Sequence, residues 1–191
     1  MSEESVLPVR ERLIYAGMRE LSQHGIQNFS IRRIAAACAL SCAAPYRHFK
    51  DKQAFVTAII EYINDLWGVQ QRAIIEAHPG DLRRQIIEIS KAYIRFLMDN
   101  PNFRSVIMLR DDSLDADYAR LRGEMTQLTR DVIGRYCVEA GIDEKTRRRK
   151  TYVVRSLIYG AALLFDNQQL AYNEENMDSV EYAIDREFDL P

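Results

Sequence analysis

The chain has 191 residues, enough for one large domain or two small ones, and its 47% hydrophobic content supports a sizeable core. Eight Gly and five Pro are few, so the composition favours long helices and argues against a strand-rich or low-complexity chain. The net charge of −2 hides an asymmetry: eight Lys and Arg stand against five Asp and Glu up to Lys52, and eighteen against twenty-three beyond it, so a mildly basic head precedes an acidic body.

Residues up to about Leu7 have no apolar period and read as a loose arm. Pro8 suits the first turn of a helix, and Ile14, Gly17, Met18 and Leu21 follow the i, i+3, i+4, i+7 pattern of a buried helical face. Gly25 stands where a left-handed C-terminal cap would end that helix. Ser30 is a good N-cap for a second helix, whose Ile31, Ile34, Ala35 and Cys38 should face the first, with Arg32, Arg33 and Ala36 on the opposite side. Ala39-Leu40-Ser41 is expected to break this helix, with Leu40 plugging the small core and Ser41 capping a short third helix over residues 42–49. Pro45 falls near the first turn of that helix, where it is tolerable.

From Lys52 the character changes. Phe55, Ala58, Ile59, Tyr62, Ile63 and Leu66 mark a long amphipathic helix to about Ala77, stopped by His78-Pro79-Gly80. Asp81 caps the next helix, which carries Leu82, Ile86, Ile89, Tyr93 and Phe96. Asn100-Pro101 restarts the chain as a shorter helix, and Asp111-Asp112-Ser113 is a polar break. Tyr118, Leu121, Met125, Leu128, Val132 and Tyr136 form a regular stripe that Gly141 ends, and Asp143 caps the following helix. Residues 151–170 form an unusually apolar helix, and a last helix holds Met177, Val180, Ile184 and Phe188. With no alternating strand pattern and no repeat, the expected fold is all-α: about nine helices, a three-helix head over residues 1–51 and a six-helix bundle over residues 52–191.

The segment Ser30–Lys52 has the layout of a helix-turn-helix, in which one short helix enters the DNA major groove at an angle fixed by the other. Three stretches carry a family likeness: Arg12 through Gly25; Ser30-Ile-Arg-Arg-Ile-Ala; and Ser41-Cys-Ala-Ala-Pro-Tyr-Arg-His-Phe followed by Lys52. Together they resemble the N-terminal domain of TetR-family transcriptional regulators over about fifty residues. The resemblance implies a helical effector-binding and dimerisation domain in the remainder. One position departs from the family pattern: Ala39 stands where the family usually has Gly at the turn, and a positive φ there would cost Ala about 1 kcal/mol.

On helix-turn-helix mechanics, Cys42, Ala43 and Ala44 lie at the leading end of the third helix. Their small side chains offer methyl contact and little hydrogen-bond readout. Arg47 is the leading candidate for bidentate contact to guanine. Arg32 is a second candidate, at a position that can reach a base in the resembling family. Ser30, Tyr46, His48 and Lys52 read as phosphate holders, and Arg33 belongs to the same basic set. Arg32, Arg33 and Arg47 also read as ordinary solvated charges, and His48 equally as a core histidine behind the third helix. Cys42 reads as a small residue in a small space, with a redox-active thiol as the less favoured reading.

In the body, Tyr62, Trp67, Tyr93, Phe96, Phe103, Met108, Met125 and Tyr159 are candidates to line an effector pocket, each also readable as plain core. Their character points to a small, largely apolar effector. The helix over residues 151–170 is apolar on more than one face, so one stripe is left to bury elsewhere. Val153, Leu157, Gly160, Ala161 and Leu164, with Val180, Ile184 and Phe188 of the last helix, are the expected homodimer interface. Asp111, Asp112, Asp115 and Asp117 read as caps and solvated loop ahead of acid–base chemistry or a metal, and Arg147-Arg148-Arg149-Lys150 as a solvated charge run, with a second polyanion site as the less favoured reading.

Three cysteines, Cys38, Cys42 and Cys137, form neither a disulfide framework nor a metal spacing, and His24, His48 and His78 have no metal-type partners. No cofactor, metal or enzymatic constellation is expected. No run of about 18 uncharged apolar residues spans a membrane. The acidic start lacks a secretory leader's basic region, so a cytoplasmic location is expected. The expected function is that of a ligand-responsive repressor, a homodimer released from a near-palindromic double-stranded DNA operator. Its competitors are a helical protein-interaction module and a small-molecule carrier without DNA function.

Overall fold

The computed structural model describes residues 7–107, 120 and 123–190. Every regular element among them is helical: α1 (Val9–His24), α2 (Ile31–Ala37), a 3₁₀ turn (Pro45–Arg47), α3 (Lys52–Ala77), α4 (Leu82–Asp99), α5 (Pro101–Ile107), α6 (Gln127–Glu139), α7 (Glu144–Asp166) and α8 (Glu174–Asp189). Met108, the Asp111–Asp117 cluster, Tyr118 and Leu121 lie outside the described residues. The chain divides into two compact units, residues 1–66 with 101–123, and residues 67–100 with 124–191. The first unit is longer than the head expected to end at residue 51, because α3 up to Leu66 and the α5 segment belong to it.

Local caps set most helix ends. Ser30 Oγ accepts from Arg33 N, Asp81 Oδ1 from Arg84 N, and Asp143 Oδ1 from Lys145 N and Thr146 N, each satisfying amides that a helix start leaves orphaned. Asn173 caps α8 in the same way, and Asp51 Oδ1 accepts from Ala54 N at 2.8 Å at the start of α3. Gly25 and Gly141 follow α1 and α6 at φ 67° and 66°, where glycine has no Cβ to clash.

In the first unit, Leu13, Ile14, Met18 and Leu21 of α1 are buried with Ile34 and Ala35 of α2 and with Phe55 and Ile59 of α3. Gly17 permits the approach of α1 to α3: a Cβ there would sit 2.7 Å from Ile59 Cδ1 and 3.2 Å from the Phe55 ring. Tyr15 and Tyr62 share a hydroxyl–hydroxyl hydrogen bond of 3.0 Å between the same helices. α5 packs on α1, and its Phe103 is buried.

In the second unit, α4 packs against α6, α7 and α8. Ile86, Ile89, Ile94 and Leu97 of α4 are buried with Ile133, Val154, Ile158 and Ile184. Ion pairs tie α4 to α8: Arg83 reaches Asp185 at 2.6 Å and Asp189 at 2.7 Å, and Glu181 is shared by Arg84 and the buried Lys91. The expected charge run at the start of α7 is absorbed locally: Arg147 and Arg148 pair with Glu144, while buried Lys150 donates to Glu187 O and Leu190 O, both at 2.6 Å, closing the end of α8.

Three expectations are corrected. The third helix over residues 42–49 is reduced to the 3₁₀ turn at Pro45–Arg47, because Pro45 has no amide to donate and the turn closes through Arg47 N to Ala44 O and His48 N to Pro45 O. Ser41 does not cap that turn with its side chain, and instead its carbonyl accepts from Ala44 N at 3.0 Å. The helix expected over residues 151–170 ends at Asp166, where Gln168 takes φ 56° and reverses the chain.

Candidate functional site

The segment from Ser30 to Lys52 is held by three devices. Glu20, on α1 and buried, accepts from Ser30 N at 3.0 Å and from Arg33 Nε at 2.9 Å. This is a capping box with its acid supplied by another helix, and it fixes α2 against α1. The hydrogen bond to Glu20 also pushes the Arg33 guanidinium above its ordinary pKa. Arg33, expected among the DNA-contacting residues, is therefore engaged in bracing the head.

The second device is the turn. Leu40 N donates to Ala35 O at 2.9 Å and Ala39 N to Ala36 O at 3.0 Å, which is the Schellman pattern, with Ala39 at φ 56°. Arg12 on α1 donates to Cys38 O at 2.7 Å, satisfying a carbonyl at the end of α2. Leu40 is half-buried and so covers the core's edge without plugging it.

The third device anchors the 3₁₀ turn. Pro45 and Phe49 are buried, and Phe49 stacks on Phe55 of α3 at 3.9 Å between ring centroids. Between these two anchors Tyr46, Arg47 and His48 are exposed. The reading of His48 as a core histidine is thereby set aside. Cys42 and Ala43 are exposed and Ala44 is half-buried. Arg32 projects from α2 into solvent, and neither the Arg32 nor the Arg47 side chain has a hydrogen bond or ion pair with another described residue. Lys52 begins α3, exposed, and reaches Gln27 O at 3.4 Å. The head thus holds Arg32 and Arg47 as uncommitted guanidiniums on a braced frame, beside an exposed phenol and an imidazole. This array can donate to phosphate oxygens and base edges.

The second unit contains a cavity floored by Trp67 and Tyr93, with Ile89, Met125, Ile133 and Ile158 among its walls. Trp67 packs on Tyr93 at 5.0 Å between ring centroids, and its Nε1 donates to Met125 O at 3.1 Å. Centres of water-sized molecules can move through about 40 Å³ of the cavity. Of the expected lining residues, Trp67, Tyr93, Met125 and Tyr159 are present. Phe96 packs against Trp67 without lining the cavity. Tyr62 and Phe103 belong to the first unit, and Met108 lies outside the described residues. The sequence reading missed the polar rim, above all Arg130, Thr151 and Arg155, because it sought only apolar stripes; the signal was an arginine set between Val154 and Leu157 on an apolar helix.

Of the expected dimer residues, Val153, Leu157, Gly160, Leu164 and Val180 are half-buried, whereas Ala161, Ile184 and Phe188 are buried within their own unit. On α7 and α8 the large apolar side chains left outward are Tyr152, Leu163 and Tyr182, at 72%, 54% and 68% exposure. A Cβ added to Gly160 would meet nothing within 4 Å.

Two family models match the chain: bacterial regulatory proteins of the tetR family over residues 13–59, and the tetracyclin repressor-like C-terminal domain over residues 86–186. The nucleoid occlusion factor SlmA of Idiomarina loihiensis is 29% identical over 119 residues, a match spanning 62% of this chain and 59% of that protein's length. Two of the crystal structures that share the fold are as follows. A TetR family transcription regulator from Marinobacter aquaeolei has TM-score 0.74 and 18% identity, over 93% of this chain and 94% of that one. The TetR family regulator PfmR from Thermus thermophilus has TM-score 0.69 and 20% identity, over 95% and 97%.

Proposed function

The chain belongs to the tetR family of bacterial regulatory proteins, and on that premise we propose a homodimeric repressor that a small, largely apolar effector releases from a near-palindromic DNA site. Family membership makes it a DNA-binding transcriptional regulator. The observation that carries the finer reading is the braced head, with Arg32 and Arg47 left unpaired among the described residues. Arg47 reads a base edge, Arg32 a second one, and Ser30, Tyr46, His48 and Lys52 hold phosphates. Cys42, Ala43 and Ala44 supply close apolar contact, while Arg33 serves the frame through Glu20.

Two such heads in a two-fold dimer would meet successive major grooves about 34 Å apart. The half-buried apolar residues of α7, with Tyr152, Leu163 and Tyr182, are the proposed dimer surface. The effector occupies the Trp67–Tyr93 cavity and binds best to a state in which the paired heads do not match the groove spacing; that differential affinity is what shifts the population. A cytoplasmic location fits this role, and no helix among the described residues is long and apolar enough to cross a membrane.

The test separates base reading from phosphate holding. Arg47→Ala should weaken binding to the operator by about 1–3 kcal/mol and relax preference at one position. Lys52→Ala should weaken all sequences alike and lower the salt slope by about 1. Equal loss on operator and unrelated DNA for Arg47→Ala would remove its base-reading role.

A further inference from the structure

The cavity of the second unit has an electrostatic bias that its apolar character hides. Among the described residues its lining includes two guanidiniums, Arg130 and Arg155, and no carboxylate. Arg130 is committed to its own helix turn, donating to Thr126 Oγ1 at 2.9 Å and to Gln127. The Arg155 side chain has no ion pair or hydrogen bond with another described residue, although its charge is felt by the Tyr93 hydroxyl. It borders both the cavity and the adjoining surface groove formed with Tyr152, Ser156 and Tyr159.

Most other polar groups of the lining are satisfied. Trp67 Nε1 is bound to Met125 O, Ser90 Oγ to Ile86 O at 2.7 Å, Thr129 Oγ1 to Gln71 at 2.9 Å, and Thr151 Oγ1 to Arg147 O at 2.8 Å. Among the described residues the Tyr93 hydroxyl has the weak acceptor Met125 Sδ at 3.9 Å and its neighbour Tyr159. What the cavity presents is therefore an aromatic and aliphatic interior with one uncommitted cation and two phenols at its polar end.

We infer that the effector is an amphipathic organic carboxylate: its apolar body lies over Trp67 and Tyr93, and its carboxylate pairs with Arg155 beside the Tyr159 hydroxyl. This deepens the effector reading given above and rests on it. A guanidinium matches a carboxylate in bidentate geometry, and a charge-assisted pair at an apolar mouth is stronger than a neutral hydrogen bond. Amines would meet two guanidiniums and, among the described residues, no acceptor charge. The space in the present state suits a few waters, so loading requires the cavity to swell; the thioether of Met125 is the adaptable part of its wall.

The chain has a single tryptophan, and it floors the cavity, so intrinsic fluorescence reports occupancy directly. The full chain is titrated with octanoate and indole-3-acetate, an aliphatic and an aromatic acid, and with their neutral twins octanamide and indole-3-acetamide. The indole pair is followed by calorimetry, because it emits itself. At least one acid should bind about tenfold more tightly than its amide. Arg155→Gln should erase that preference while leaving amide binding within about twofold. Equal affinity of acid and amide, an Arg155→Gln variant that weakens both alike, or no binding by any of the four overturns the carboxylate assignment. Release of operator DNA is followed in parallel: release by the amides as readily as by the acids would leave the effector reading standing and remove only its charge.

Discussion

Ala39 holds φ 56° at the position where a Schellman motif reverses the chain, with Leu40 N bonded back to Ala35 O. A Cβ in the left-handed region crowds the following carbonyl, which glycine avoids. Ala39→Gly is expected to raise unfolding stability by about 1 kcal/mol, read as an upward shift in chemical-denaturation midpoint; no shift, or a downward one, would show that the turn bears no such strain. The departure from the family pattern at this residue was visible in the sequence, since it concerns one position and its neighbours. The role of Arg33 was not. Its charge looks the same as that of Arg32 next to it, and only the fold brings the buried Glu20 carboxylate to it. Pro45 was legible as a first-turn residue but not as a buried anchor, and His48, between an anchor and solvent, needed the structure to choose.

At the scale of elements, the ends of helices were the most legible features, because caps are local chemistry. Ser30, Asp81, Asp143, Gly25 and Gly141 all stand where the sequence placed them. The short third helix was over-read. Pro45 was placed near its first turn, but it lacks the amide that a second α-turn needs, and a 3₁₀ turn results. The α8 stripe of Val180, Ile184 and Phe188 shows a different failure: periodicity identifies a buried face without saying whether the core or a partner buries it. Here α4 and α7 both pack on α8, and Ile184 and Phe188 are inside.

The α4–α8 ion pairs give this interface a pH dependence. Hydrogen bonding to Lys91, then the neighbouring Arg84, lowers the Glu181 pKa, and Arg83 does the same for Asp189. A carboxylate with a depressed folded-state pKa stabilises fully above its unfolded value and loses that contribution as pH falls through the folded one. Thermal unfolding should therefore shift downward on acidification through and below the usual carboxylate range. Glu181→Gln should be less stable than the natural chain near neutrality and show a shallower acid slope; an unchanged slope would mean that Glu181 contributes nothing to it.

For the whole molecule, the second unit leaves Tyr152 and Leu163 of α7 and Tyr182 of α8 outward, on two packed helices. If these residues form the dimer surface, Leu163→Glu should convert the dimer to monomer by light scattering without lowering helix content. It should also cost most of the operator affinity, because one head alone buries half the contacts. A dimer that survives Leu163→Glu with Tyr152→Glu would place the interface elsewhere. That α7 has more apolar surface than one core can take was legible from its sequence. Which residues stay outside was not, since it depends on the rotation of α7 against α4 and α8.

The most direct measurement of the central claim is equilibrium binding of the full chain to the DNA upstream of its own coding region, followed by fluorescence anisotropy across a salt series. A scrambled duplex of the same length serves as reference. The account predicts a complex at least about a thousandfold tighter on the upstream DNA than on the scrambled duplex. Log affinity should fall linearly with log salt, with a slope set by the phosphates that both heads neutralise. Equal affinity for the two duplexes, or binding indifferent to salt, would contradict it.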